Sequence, residues 1–290
     1  MELNPKPIVE LKVDKLEVAV YETREQMGKA AAAFTAGLIR KLLAEKQQIN
    51  MVFAAAPSQN EFLHALGNMS SIEWSRIRAF HLDEYLGLPR EAPQRFSRYL
   101  HDRIFSRVPF MEVHYLDPGK GETPEEICAR YRRLLEQHPI HIACIGIGEN
   151  GHIAFNDPPV ADFQDPCMVK VVRLEETCRR QQVHDGCFAS LDEVPTHAVT
   201  LTVPAIMVAE AVVCVVPSER KKRCIRRCEA RSLLPAQQAY CVPTPTPGCS
   251  STGKVLLWYW RDADVQVYGV LQGHGGWPFA KDRKGRARGN

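Results

Sequence analysis

The sequence predicts a doubly wound, mainly parallel, Rossmann-like α/β sheet flanked by helices. Three observations carry this. Short apolar runs rich in β-branched residues recur at 15–20, 49–56, 77–82, 141–147, 169–172, from 198 and at 211–216. Most are separated by stretches with helical composition or periodicity, the alternation that parallel sheets require for their crossovers. Several runs also end abruptly in polar clusters, which is how strands present side chains at the carboxyl edge of such a sheet.

Taken in order, 15–20 alternates apolar and polar residues as a strand does, and 23–46, rich in Ala, Leu and Lys, reads as one long helix. The run 49–56 ends at Pro57-Ser58-Gln59-Asn60, followed by a helical pattern on Phe62, Leu63 and Leu66. A strand, a polar turn and a helix start expose free backbone N–H groups to an anion. The strand 77–82 leads straight into Asp83-Glu84-Tyr85, and two adjacent carboxylates at a strand end are solvated or functional because burying charge is costly. A helix is expected over 97–105. Thr123-Pro124-Glu125-Glu126 forms a capping-box start for a helix to about 137. Another helix is expected over 175–182.

The central stretch is 141–159, HIACIGIGENGHIAFNDPP. Its apolar first half reads as a buried strand, and its second half gathers glycines and polar residues at that strand's end. Gly146, Gly148 and Gly151 spell G-x-G-x-x-G, but Pro158-Pro159 leaves no room for the helix a dinucleotide site needs, so the match is accidental. The run GIGENGHIAFNDP instead resembles the pattern G-x-G-x-D-G-H-I-A-F-N-E-P of the glucosamine-6-phosphate deaminase/isomerase family, a relative of the 6-phosphogluconolactonases. FHLDEYLGL at 80–88 resembles the family's second signature. The resemblance spans about 15–222.

That resemblance implies isomerisation and deamination of an amino-sugar phosphate, glucosamine-6-phosphate to fructose-6-phosphate and ammonia, by acid–base chemistry without a cofactor or metal. It makes Asp83 the base that carries a proton between carbons, and His152 the group that opens the sugar ring. Asn150 and Asp157 fall where the family places two acids that assist the histidine. Asn150 stands for an aspartate and so cannot hold the negative charge that stabilises an imidazolium. Asp157 stands for a glutamate and is one methylene shorter. Reduced activity or a different sugar phosphate is the expected consequence. Ser58, Gln59 and Asn60 are the expected phosphate turn, Glu84 a further substrate contact, and Lys221 the cation that pairs with the phosphate. The family also uses an arginine within 178–188, where this chain offers Arg179 and Arg180. The other readings are a lactonase-type hydrolase, and a sugar-phosphate binder with weak or no catalysis.

Composition narrows the class further. A chain of 290 residues with 45% hydrophobic residues can bury a substantial α/β core. Without a long apolar run or a signal-peptide pattern at its start, the expectation is a cytoplasmic protein with no membrane or nucleic-acid partner; a homo-oligomer is compatible with it. The ten cysteines are mostly scattered and read as free thiols.

Residues 223–290 break the pattern, with 11 basic and 4 acidic side chains against 37 and 34 in the whole chain. Cys224, Cys228, Cys241 and Cys249 have no usual zinc spacing. Degenerate codons for 229–252, read one nucleotide upstream, can be chosen to encode GPISTACPASILRTHPDARLFLD, which resembles the family's C-terminal pattern. The expected organisation is therefore an α/β domain over 1–222 and a frameshifted tail over 223–290. Such a tail would cost the sheet a strand and open an apolar edge.

Overall fold

The computed structural model describes residues 5–13, 16–117, 121–217 and 254–260. Eleven strands are described. β1 (Val9–Val13), β2 (Leu16–Tyr21), β3 (Ile49–Phe53), β4 (Ile77–His81), β6 (Glu112–His114), β7 (Ile142–Ile145), β10 (Ala211–Val216) and β11 (Lys254–Trp260) form one sheet in the order β1-β2-β11-β10-β7-β3-β4-β6. Only β1 runs antiparallel, against β2; every other pairing is parallel. The remaining strands, β5 (Asp83–Tyr85), β8 (Val169–Arg173) and β9 (His197–Leu201), make a small antiparallel sheet in the order β5-β9-β8. The sequence pattern identifies β8 and β9 as strands but does not distinguish this separate sheet, because an apolar run carries no direction.

Alternate residues of the parallel strands feed two cores, one on each face. Met51, Phe53, Cys144, Val213 and Val215 pack into one, while Val52, Ala143, Ile145, Val212 and Cys214 pack into the other. The first core is covered by α1 (Arg24–Glu45), α2 (Asn60–Gly67) and α3 (Phe96–Leu100). The second takes Ile127, Tyr131 and Leu135 of α4 (Pro124–Gln137) and Ile206 of α6 (Val203–Met207). Burial on both faces explains why β7 (IACI) and β10 (AVVCVV) are apolar throughout rather than alternating. Thr23 caps α1 by accepting from Gln26 N at 3.1 Å, and Thr123 and Glu126 form the expected capping box of α4. The helix expected over 97–105 is α3 followed by one wider turn, His101–Phe105.

β11 comes from the segment that sequence reasoning set aside. KVLLWYW is a continuous run of apolar and aromatic residues behind one lysine, the composition of a strand buried within a sheet. It lies between β10 and β2, so no edge opens at β10. The rest of the tail, including the cysteine cluster, lies outside the described residues.

Helix α1 meets α2 through a glycine. A Cβ on Gly28 would come within 2.6 Å of Glu61 Cβ and 2.7 Å of its carbonyl carbon, so the backbone itself blocks a side chain. Gly28→Ala should lower stability by about 1–3 kcal/mol despite its better helix propensity. A thermal melt reads this directly, and an unchanged or raised Tm would show that the helices separate without cost.

A candidate acid–base active site

The chain reverses direction across the sheet between β3 and β7. From β3 it proceeds outward to β4 and β6, and from β7 to β10 and β11 on the other side. Open α/β sheets hold ligands in the crevice at such a point, beyond the carboxyl ends of the strands. The pocket found there is lined by Ala54–Ala56, Ser58 and Gln59 after β3, by Leu82 and Asp83 after β4, and by Gly146–Gly148 after β7. His152, Ala154, Phe155, Phe96, Gln181 and Gln182 complete it.

Asp83 reaches the pocket because the end of β4 is pinned on both sides. The Tyr131 hydroxyl accepts from His81 N and lies 2.8 Å from His81 O, while Asp83 itself pairs with Thr200 across the small sheet. The Asp83 side chain is buried, and among the described residues its carboxyl makes no hydrogen bond. Burial first, and then the neighbouring Glu84 carboxyl, hold its pKa well above the usual carboxylate range. A carboxyl poised this way, facing a pocket, is suited to taking and returning a proton.

The loop after β7 supplies the imidazole. Gly151 takes a φ of 92°, and Ala154 a φ of 52°, a left-handed conformation unusual outside glycine. The second turn is held by Asn156, whose Nδ2 donates to Ile153 O and Leu201 O, and by Phe155 N donating to Thr200 Oγ1. The His152 ring lies on Gly148, where a Cβ would fall 2.1 Å from Cε1. His152 Nδ1 is 2.7 Å from Asn150 Oδ1 and 3.2 Å from Asp157 Oδ1. Burial pushes Asp157 up, but its contacts with His152, Asn150 and the Glu175 amide outweigh that and hold it below its ordinary value. The shorter aspartate therefore does reach the histidine. The Glu149 carboxylate lies 3.6 Å from His184 Nδ1.

The other expected site residues divide. Ser58 and Gln59 line the pocket, with Gln59 Nε2 donating to Ser58 Oγ and Val215 O. Asn60 does not line it; its Oδ1 accepts from the Tyr99 hydroxyl at 2.7 Å. Glu84 is also away from the pocket. Its carboxylate accepts from the amides of Tyr85, Phe96 and Ser97 and faces Arg95 at 3.6 Å, so it caps the start of α3. Burial pushes it up to about 7 against the pull of Arg95. Lys221 lies outside the described residues. Arg179 donates to Leu191 O and Val194 O, and Arg180 pairs with Glu176 on the surface, so neither arginine lines the pocket.

Sequence reasoning did not place Gln181, Gln182 or Glu175 at the site. Gln181 and Gln182 lie on α5 (Glu176–His184), whose buried positions are 178, 181 and 182. Amides at i+3 and i+4 from a buried cysteine were the available signal, because an inward helix face is normally apolar. Gln181 is held at both ends, by Glu149 N and by Asp185 Oδ2. Among the described residues, two side-chain groups bring metal-ligating atoms within 4.8 Å of one another: His152 with Asp157 and Cys178, and His81 with Glu84 and Asp117. In the second, Arg95 already supplies the cation, 2.8 Å from Asp117 and 3.6 Å from Glu84. The acid–base chemistry assigned to His152 and Asp157 requires no metal in either arrangement.

A doubly wound sheet with a buried carboxyl and an oriented imidazole facing one pocket defines an acid–base enzyme of the α/β class. The family model of glucosamine-6-phosphate isomerases/6-phosphogluconolactonase matches residues 22–246, and the chain belongs to that family. Among similar proteins, a glucosamine-6-phosphate deaminase of Lysinibacillus sphaericus is 36% identical over 167 residues, 58% of this chain and 73% of that one. One from Bacillus cereus (strain B4264) is 29% identical over 211 residues, 73% and 76% of the two chains. Solved structures with this fold include a monomeric glucosamine-6-phosphate deaminase (TM-score 0.69, 23% identity, 84% of this chain and 97% of that one). A 6-phosphogluconolactonase from Thermotoga maritima follows it (TM-score 0.64, 20% identity, 85% and 100%).

Proposed function

We propose that the chain converts glucosamine-6-phosphate to fructose-6-phosphate and ammonia, as a cytoplasmic enzyme. The observation that carries this is the placement of Asp83 and His152 on one pocket, with Nδ1 of the histidine engaged by Asn150 and Asp157. His152 takes the C1 hydroxyl proton and returns it to the ring oxygen, opening the ring. Asp83 removes the C2 proton and delivers it to C1, while a proton leaves the amine and one is taken up by O1, so that C1 becomes an alcohol and C2 an imine. Water adds to C2, the proton of the new hydroxyl passes to nitrogen, and the C–N bond breaks to leave the ketone and ammonia. The sequence is proton transfer, water addition and elimination of ammonia, redox-neutral overall, so no external oxidant or reductant is needed. The phosphate is anchored at Ser58 and Gln59, with Lys221 as its cation. The described cysteines are all free thiols, which suits a reducing compartment.

The reading frame of the tail belongs to the same proposal. We infer a one-nucleotide shift near Lys221–Lys222, so that a different sequence natively fills the position of β11. DNA sequence across that point decides it. The activity test is ammonia and fructose-6-phosphate release from glucosamine-6-phosphate, by the chain as it stands and by a frame-restored version. Release by either supports the deaminase assignment. A folded, restored protein that releases no ammonia overturns it, and hydrolysis of a 6-phospholactone by that protein would move the assignment to the lactonase branch.

A further inference from the structure

The residue that stands where a second acid was expected, Asn150, is not left to act alone. Its Nδ2 donates to two carboxylates at once, Asp157 Oδ1 at 3.0 Å and Glu175 Oε2 at 2.7 Å. Its Oδ1 accepts from His152 N at 3.1 Å and faces His152 Nδ1 at 2.7 Å. A carboxylate only accepts, so both amide protons must point at Asp157 and Glu175. A flipped amide would set its carbonyl against two carboxylates and its NH2 against the His152 backbone N–H. Its orientation is fixed by chemistry. Since Asn150 Oδ1 and Asp157 Oδ1 are both acceptors toward Nδ1, that nitrogen carries the ring proton in the neutral imidazole, and Nε2 holds the free lone pair.

We propose that Glu175 is a positioning residue of the site. It lies at the start of α5, outside both sequence signatures, and acts through Asn150 to lock the His152 tautomer. It also supplies the negative charge that an aspartate at 150 would have carried. Asp157 ties the same glutamate in, since its Oδ2 accepts from Glu175 N at 2.9 Å. The arrangement thus keeps two carboxylates around one imidazole, with an amide between them in place of a third acid. Three acids here would repel, and one would leave the protonated ring undercompensated.

This predicts a charge swap with reversal of sign. Glu175→Gln, with its second charge gone, should lower kcat about 10- to 100-fold with KM changed little, because the glutamate does not line the pocket. Asn150→Asp, with three acids, should lower both kcat and Tm. The double variant, Asn150→Asp with Glu175→Gln, restores the two-carboxylate count and should recover most of the kcat and Tm that each single change loses. Nitrogen-15 NMR of His152 in the unsubstituted protein should show Nδ1 as the protonated nitrogen, and Glu175→Gln should mix the tautomers. This inference rests on the site assigned above, yet the Tm cycle and the NMR signal need no turnover. They separate its failure from that of the proposed substrate. Losses that simply add in the double variant, a double variant that does not fold, or Nε2 found protonated in the starting protein would each overturn it.

Discussion

Asp83→Asn is expected to abolish turnover and to stabilise the protein. The carboxyl is buried, makes no hydrogen bond among the described residues, and sits beside Glu84. Its pKa is raised in the folded state, so the folded chain holds this proton more tightly than the unfolded one. Stability is then fully present below the ordinary aspartate range. It is lost progressively as pH climbs from there to the raised value. An amide does not titrate, and it removes the repulsion from Glu84. At neutral pH the variant should gain on the order of 1 kcal/mol, about 2–4 °C in Tm, and the gain should vanish as pH falls toward 4. Release of ammonia should meanwhile fall about 100- to 10,000-fold, the usual cost of losing a positioned general base. Melting curves at several pH values beside turnover check both halves. A variant that is inactive but less stable at neutral pH would mean that Asp83 is structural, and one that stays active would remove it from the chemistry.

That opposition between stability and function explains which parts of the molecule the sequence discloses. Strands β7 and β10 are legible because burial on both sheet faces demands uninterrupted apolar residues, and β3 and β4 because Asn50, Arg78 and His81 are the polar residues in otherwise apolar runs. Asp83 is legible because it follows directly on such a run, and His152 through the motif GIGENGHIAFNDP that surrounds it. Glu84 reads as a site residue on the same logic, yet its carboxylate is consumed by three backbone amides, a tertiary contact that adjacency in sequence cannot reveal. Glu175 and Gln182 are hidden for the opposite reason. They sit at the helix start and on its buried face, and only the fold carries Glu175 to Asn150 and Gln182 to the pocket. β11 is hidden by its surroundings, since an apolar run is persuasive only when its neighbours also look like an α/β protein. It joins the sheet because β2 and β10 leave one strand's width between them.

Gly148→Ala should be as damaging as loss of the histidine itself. The backbone at Gly148 is not in the left-handed region, so alanine meets no conformational strain there. The three atoms nearest the added methyl all belong to one side chain. The new methyl would fall 2.1 Å from His152 Cε1, 2.3 Å from Nε2 and 2.4 Å from Nδ1, closer than any real contact permits. The ring must swing out, breaking its contacts with Asn150 and Asp157 and withdrawing Nε2 from the pocket. Turnover should drop about 100-fold or more, as for loss of an acid–base group, while the sheet and both cores are untouched. A double-mutant cycle makes the cause explicit. His152→Ala removes the obstacle, so adding Gly148→Ala to it should cost nothing further in turnover, and the coupling should nearly equal the whole effect of the glycine change. If Gly148→Ala alone keeps its rate, the imidazole is not held against this glycine during reaction. If it remains harmful after His152 is gone, the methyl acts on the substrate and not on the ring.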